Sequence, residues 1–431
     1  MTPARSQRPE IHPPLPVPLR KAECLTLRNG IEVYILKDDT YDVLQVDLLF
    51  DGGHIHAESV LQPMLAGQLI RRGTTRHTAE QIAEKLDYYG ATFYAGITSN
   101  HTQLTLNTTG KFATAILPLL EDIIKHSTFP RKEFLILRRK AYENYRDKLS
   151  IAKHRVKQRI KEVIYGTSHP YGRSIRAKDF RLTTPDLTRD FYKQTIHSDG
   201  CRILLTGHVS EEIVRSIEDC FGGNDWHAES GTIVTDPMLP QAKRGRKRRY
   251  FLQKDDAEQS TIAFAGPVID REDADWYPLI ILTSIFGGYF GSRLMKSIRE
   301  QYGYTYNIHA DIHAHFRNGY VYIVTETAAE TAEPLIRETF HPMDILREQA
   351  IPSEELSTAK AYLLGERALS MDGIFSHTDY WLTLLRQGWD MSHYPLYEET
   401  LRSISAERLQ ETAQRWLRPD LFQVIVCGKK P

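Results

Sequence analysis

Cysteine is scarce: four in 431 residues, Cys24, Cys201, Cys220 and Cys427, widely spaced and without a C-x-x-C pair. That spacing gives no paired-thiol motif, and Cys201 and Cys427 sit in the apolar runs CRILLTG and VIVCG. Buried, reduced thiols are the expectation. Neither sign of charge dominates, since 55 Lys+Arg meet 55 Asp+Glu. No global bias therefore points to nucleic acid or a membrane surface. No apolar run approaches the roughly 20 residues that span a bilayer. The Pro-rich start, residues 1–22, lacks the apolar core of a signal peptide and reads as an extended arm. The cytoplasm is the expected location. What the chain does have is a globular composition, 41% hydrophobic and 26% charged, in a length that suits two or three domains.

The second half echoes the first. Residues 182–207 and 403–428 each read as a polar cap, an amphipathic helix, a short turn and a buried strand ending in Gly. A repeat about 220 residues apart implies two copies of one domain rather than a solenoid. The join is expected over 223–250, polar, rich in Gly and Pro, and ending in the basic cluster Lys243 to Arg249. At a linker in a neutral chain, that cluster reads as a solvated charge run rather than a nucleic-acid patch. This divides the chain into an arm (1–22), a first domain (23–222), a linker (223–250) and a second domain (251–431).

Asn29-Gly30 between two strand-like runs signals a hairpin. Further strands are expected in VLQVDLLFDGG, QSTIAFAGP and NGYVYIVTETA, and helices over 112–126, 131–165, 329–349 and 353–370. The spacing is not that of regular βαβ units. The fold class is α+β, with two homologous halves that form a clam-shell chamber. Each half is a mainly antiparallel sheet with helices packed on one face.

The order of several segments resembles the pitrilysin/insulinase zinc peptidases, in particular the bacterial relatives of mitochondrial processing peptidase. These segments are the hairpin, DGGHIHAESVLQPMLAGQLIRRGT, GATFYAG, YGTSHPYGRSI and GGYFGSRLMKSIREQYGYTYNI. The resemblance runs from about Leu25 to Gly428. It implies a His-x-x-Glu-His helix in active members, where two imidazoles on one helix face share zinc with a distant Glu and the inner Glu is the base. Aligned on Arg72-Gly73-Thr74, the window here is Met64-Leu65-Ala66-Gly67-Gln68. Met64 and Gln68 replace both imidazoles, Gly67 replaces the base, and Glu143 falls near the third ligand as a remnant. Thioether and amide are poor zinc ligands beside imidazole. Two other sets, His54-x-His56-x-Glu58 and His309-x-Asp311-x-His313-x-His315, have strand-like alternation that could converge on an ion. The apolar alternation of Ile308, Ala310, Ile312, Ala314 and Phe316 instead places the second set's histidines on a wet or chamber-facing side.

The family's second motif is an Arg and a Tyr seven residues apart, matched by Arg299 and Tyr306. The resemblance implies that they face the cleft, contact substrate and stabilise an oxyanion; a phenol and a guanidinium can do so without metal on their own chain. No cofactor is expected in this chain, and it is expected to be inactive alone. Its implied partners are a zinc-bearing subunit with an intact His-x-x-Glu-His motif and an unstructured peptide. The alternatives are a non-catalytic peptide-capturing subunit or a structural subunit of a processing-peptidase-like assembly.

Overall fold

The computed structural model describes residues 14–228, 239–240 and 242–429; positions 1–13 of the arm and 229–238 and 241 of the linker lie outside the described residues. The first half builds a six-stranded sheet from β1 (Glu23–Thr26), β2 (Glu32–Lys37), β3 (Leu44–Asp51), β4 (Thr92–Ile97), β5 (His101–Thr108) and β6 (Arg202–Gly207). The second builds a five-stranded sheet from β7 (Arg249–Gln253), β8 (Ser260–Asp270), β9 (Ile308–Ala314), β10 (Asn318–Thr327) and β11 (Gln423–Gly428).

The strand orders are β1-β2-β6-β3-β5-β4 and β7-β11-β8-β10-β9. Apart from the edge strand β1, the two orders are the same. The closing strand β6 slots between β2 and β3, and β11 between β7 and β8, each parallel to the first neighbour and antiparallel to the second. The helix–strand echo is therefore a topological repeat. The hairpin forms where Asn29-Gly30 predicts it: Gly30 takes φ 90°, and the Asn29 amide donates to the carbonyls of Phe221 and Gly223.

The first half's helices are α1 (Leu61–Leu69), α2 (Ala79–Tyr88), α3 (Ala113–Lys125), α4 (Arg131–Ser150), α5 (Ala152–Tyr165), α6 (Asp179–Leu182), α7 (Pro185–Thr195) and α8 (Glu211–Phe221). The second half's are α9 (Trp276–Thr283), α10 (Ala332–Glu348), α11 (Ser353–Leu369), α12 (Ile374–Gln387), α13 (Leu396–Ser403) and α14 (Ala406–Trp416). One differs from expectation: the stretch 131–165 is two helices, broken where Ile151 turns extended (φ −90°, ψ 114°). Helix α9 leaves α geometry and continues as a π-helical turn over Ser284–Gly288.

Each sheet buries one face under helices of its own half, as expected. Its other face carries a helix from the opposite half. On β8, Ile262 and Phe264 join the second half's core, while the small Ala263 and Ala265 let α5 approach with Val156, Ile160 and Ile164. On β6, Ile203 and Leu205 join the first half's core. Leu204 and Thr206 meet α12, where the hydroxyls of Thr206 and Thr378 lie 2.8 Å apart. This exchange explains why the inner strands read as continuous apolar runs rather than alternating ones. The arm joins it: Leu19 is buried, and the carbonyl of Arg20 accepts from the Trp381 indole at 2.9 Å.

Two surface expectations need correction. Cys24 is exposed, at an edge strand; Cys201, Cys220 and Cys427 are buried free thiols. The basic cluster is only partly a solvated run. Arg244 is docked on the second half through the Gln423 side chain and the carbonyls of Ala265 and Gly266, whereas Arg246, Lys247 and Arg248 are exposed. Among the described residues, no helix is long and apolar enough to cross a membrane.

Candidate functional site

Val60, the residue before α1, and Met64 and Gln68 of α1 face a cleft of about 300 Å³ at helical spacing. Gly67 is on another side, against β4; a Cβ there would come within 3.1 Å of Ile97 Cδ1. Facing α1 are Lys140, Asn144 and Lys148 of α4, and His154, Gln158 and Lys161 of α5. Glu143 does not line the cleft. It is exposed and its nearest cation is Arg139, 3.9 Å away. Its neighbour Asn144, one position on, does line the cleft with Met64 and Gln68.

These groups do not fit zinc. They offer one imidazole, that of His154, beside a thioether and amides and no carboxylate, and the wall carries Lys140, Lys148, Lys161 and Arg173. A dication would meet net positive charge with no carboxylate to offset it. Burial pushes the Lys161 ammonium below the ordinary lysine range. His154 is lowered too, chiefly by burial and then by Lys148 and Lys161.

Arg299 lies in the π-helical turn Met295–Gln301. The segment before it is held by a bidentate ion pair, Arg293 to Glu355 of α11, at 2.9 and 3.0 Å. Tyr306 precedes β9 rather than lying in the strand, and it is 88% exposed. The Arg299 guanidinium sits 5.5 Å from the Tyr306 ring and 4.7 Å from the Phe290 ring. The motif is thus a cation–π cluster with its phenol presented to solvent. Tyr306 lines a second cleft of about 350 Å³, shared with Glu326 and Lys153. Lys153 and His154, neighbours at the start of α5, line one cleft each and so bring the two motifs to the same helix end.

The histidine sets have other surroundings. His54–His56 form a 3₁₀ turn, not a strand, and the Gly53 amide donates to His56 Nδ1. In β9, His309 lies 3.9 Å from Asp311. His315 stacks face to face on Tyr171 at 4.0 Å, tying the second half to the first. Among the described residues, no three His, Cys, Asp or Glu groups converge to hold a metal ion. Sequence reasoning missed the cation wall and the His315–Tyr171 stack. The spacing of Lys140 and Lys148 along α4 was a visible signal for the first.

The family model described as the peptidase M16 inactive domain matches residues 183–363. An uncharacterized zinc protease of Rickettsia felis is 25% identical over 359 residues, covering 81% of this chain and 83% of that protein. A Helicobacter pylori protein named a non-peptidase homolog is 20% identical over 378 residues, 85% of this chain and 84% of its own length. In three dimensions, the peptidase M16 inactive domain from Pseudomonas fluorescens aligns with TM-score 0.81 at 18% identity, covering 95% of this chain and 98% of that one. The chain is thus similar to pitrilysin/insulinase (M16) peptidases: residues 183–363 match the family's inactive domain, relatives of low identity run along most of its length, and its two-half fold is shared.

Proposed function

We propose that this chain is the metal-free subunit of a two-subunit zinc peptidase, and that it supplies Arg299 and Tyr306 to a site whose zinc the partner holds. One observation carries the reading: the zinc window is replaced by Met64, Gln68 and Asn144 in a cationic wall, while the Arg299–Tyr306 cluster stays presented at an open cleft. In this reading the first half, 23–222, carries the degenerate window and the second, 251–431, carries the functional pair. The partner has an intact His-x-x-Glu-His helix, the substrate is an unstructured peptide, and the complex works in the cytoplasm.

The chemistry asked of this chain is limited. The Tyr306 phenol would donate one hydrogen bond to the oxyanion developing on the peptide carbonyl, and the partner's zinc would supply water activation. Arg299 would hold a neighbouring substrate carbonyl with charge-assisted bonds. A second reading, peptide capture without a share in the chemistry, is favoured by the 88% exposure of Tyr306, which leaves the phenol without a fixed partner before substrate arrives.

The test is reconstitution. The chain alone, a His-x-x-Glu-His partner alone and their mixture are assayed on unstructured peptides, with size-exclusion chromatography to follow assembly. Hydrolysis by the mixture only supports the proposal. Full hydrolysis by the partner alone, unchanged on mixing, contradicts it.

A further inference from the structure

The cleft at the degenerate zinc window is more than a lost metal site. It gathers four permanent or near-permanent cations from three pieces of chain: Lys140 and Lys148 of α4, Lys161 of α5, and Arg173 in the loop after Tyr171. None of the four forms an ion pair among the described residues, and no Asp or Glu lines the cleft. Lys140 and Lys148 are at its exposed rim, whereas Lys161 and Arg173 are half-buried. Arg173 is aimed by one bond, Nη1 donating to the Ala57 carbonyl at 2.6 Å. A half-buried ammonium with no counter-charge destabilises a fold, and like charges gathered round it add to the cost. An arriving anion would remove that penalty and receive charge-assisted hydrogen bonds.

The rest of the wall narrows the anion's kind. Gln68, Asn144 and Gln158 place amides beside the cations, suited to peptide N–H and C=O groups. Met64, Tyr145 and Ile175 add apolar surface for an aliphatic stem. A volume of about 300 Å³ is at the lower end of ligand pockets, enough for a short piece of chain rather than a folded partner.

We infer that this cleft binds a peptide carboxylate, with Lys161 and Arg173 holding the carboxylate, Lys140 and Lys148 drawing it in, and the side-chain amides holding the adjoining backbone. The inference deepens the peptide-binding reading above and rests on it. It identifies the substrate class as peptides with an acidic residue or a free C-terminus placed to reach the first half while the scissile bond lies at the Arg299–Tyr306 cluster. Where active relatives are implied to hold a cation, this chain holds an anion, and the substrate supplies it.

The experiment uses the full chain without a partner and fluorescence anisotropy of a labelled short unstructured peptide. Four versions separate the two sources of carboxylate: an internal Glu or Gln, each with a free or an amidated C-terminus. The Glu or free-terminus version is expected to bind about tenfold more tightly than the version lacking that carboxylate. Lys161→Met should abolish this preference and raise the melting temperature of the free chain, because it removes an unpaired half-buried charge. Lys132→Met, on α4 outside the cleft, should change neither. A preference that follows the side chain or the terminus assigns the source. Equal binding of all four peptides, binding of none, or a preference that survives Lys161→Met overturns the inference. Hydrolysis by the reconstituted mixture is a separate readout. No acid preference with intact hydrolysis sinks the carboxylate site alone. Acid preference without hydrolysis sinks the half-site and leaves the cleft standing.

Discussion

At the scale of single residues, Gly67 marks where α1 packs closely on β4. A Cβ at this position would press on Ile97 Cδ1 at 3.1 Å, so the space a base would need is taken by β4. Gly67→Glu should therefore cost about 1–3 kcal/mol through overpacking, read as a lower denaturant midpoint at unchanged slope. An unchanged midpoint would mean that Ile97 yields freely. The shared face of Met64 and Gln68 was legible in the sequence, because residues four apart on a helix line one cleft. The third position was not, because one residue on a helix turns the side chain by about 100°. That rotation puts Asn144 in the cleft and Glu143 outside it. Cysteine burial was likewise only partly legible, since Cys24 lies on the edge strand β1 and is exposed. A thiol reagent should modify one cysteine rapidly in the native chain and the other three only on unfolding. Rapid reaction of two or more would contradict the burial described for Cys201, Cys220 and Cys427.

At the scale of elements, strands and helices were readable wherever periodicity or turn chemistry marked them. The hairpin at Asn29-Gly30 and the paired units α7–β6 and α14–β11 are examples. The break at Ile151 was not, for no Gly or Pro punctuates LSIAKH. Its cause is tertiary: α4 stays with the first half while α5 crosses to the sheet of the second. Tyr306 lies just outside β9, because the chain pairs only from Ile308 and Thr305 bonds to the carbonyls of Asn307 and Glu326. The basic cluster before β7 divides by the same kind of contact. Arg244 is anchored, and Arg246 to Arg248 are open to solvent. Limited trypsin digestion should cut after Arg246, Lys247 or Arg248 well before Arg244, with mass spectrometry locating the ends. Early cleavage after Arg244 would show that its docking is not kept in solution.

At the scale of the whole molecule, the two halves repeat one topology and are tied by exchanged helices and by aromatic and histidine contacts. The repeat was visible in the sequence because its closing units share a pattern. The exchange was not, because an apolar strand face does not say which half covers it. The junction also gives the molecule an acid limit. Burial pushes His101 and His315, both 8% exposed, down to about 3, and His54 to about 4. An unfolded histidine titrates near 6.5. Between these values the unfolded chain binds protons that the folded chain refuses. The contribution of these histidines to stability is therefore fully present above about pH 6.5 and is lost as pH drops toward their folded values. Asp47, whose carboxyl is raised by burial, acts in the opposite sense. The melting temperature should fall from pH 7 to 5, and His315→Phe, which keeps the stack on Tyr171, should flatten that fall. An identical slope in the variant would remove His315 from the account.

The central claim is that the zinc-free chain takes part in peptide hydrolysis through its second half, and it rests most directly on one hydroxyl. Tyr306 makes no hydrogen bond among the described residues and is 88% exposed, so Tyr306→Phe should leave folding and assembly untouched. The decisive measurement is steady-state peptide hydrolysis by the complex of this variant with a zinc-bearing partner, with size-exclusion chromatography confirming that the complex forms. The account predicts a fall in kcat of about 10²–10³-fold with little change in KM, the usual consequence of losing one oxyanion donor. Near-full activity in an intact complex would contradict it and leave peptide capture as the role of this chain.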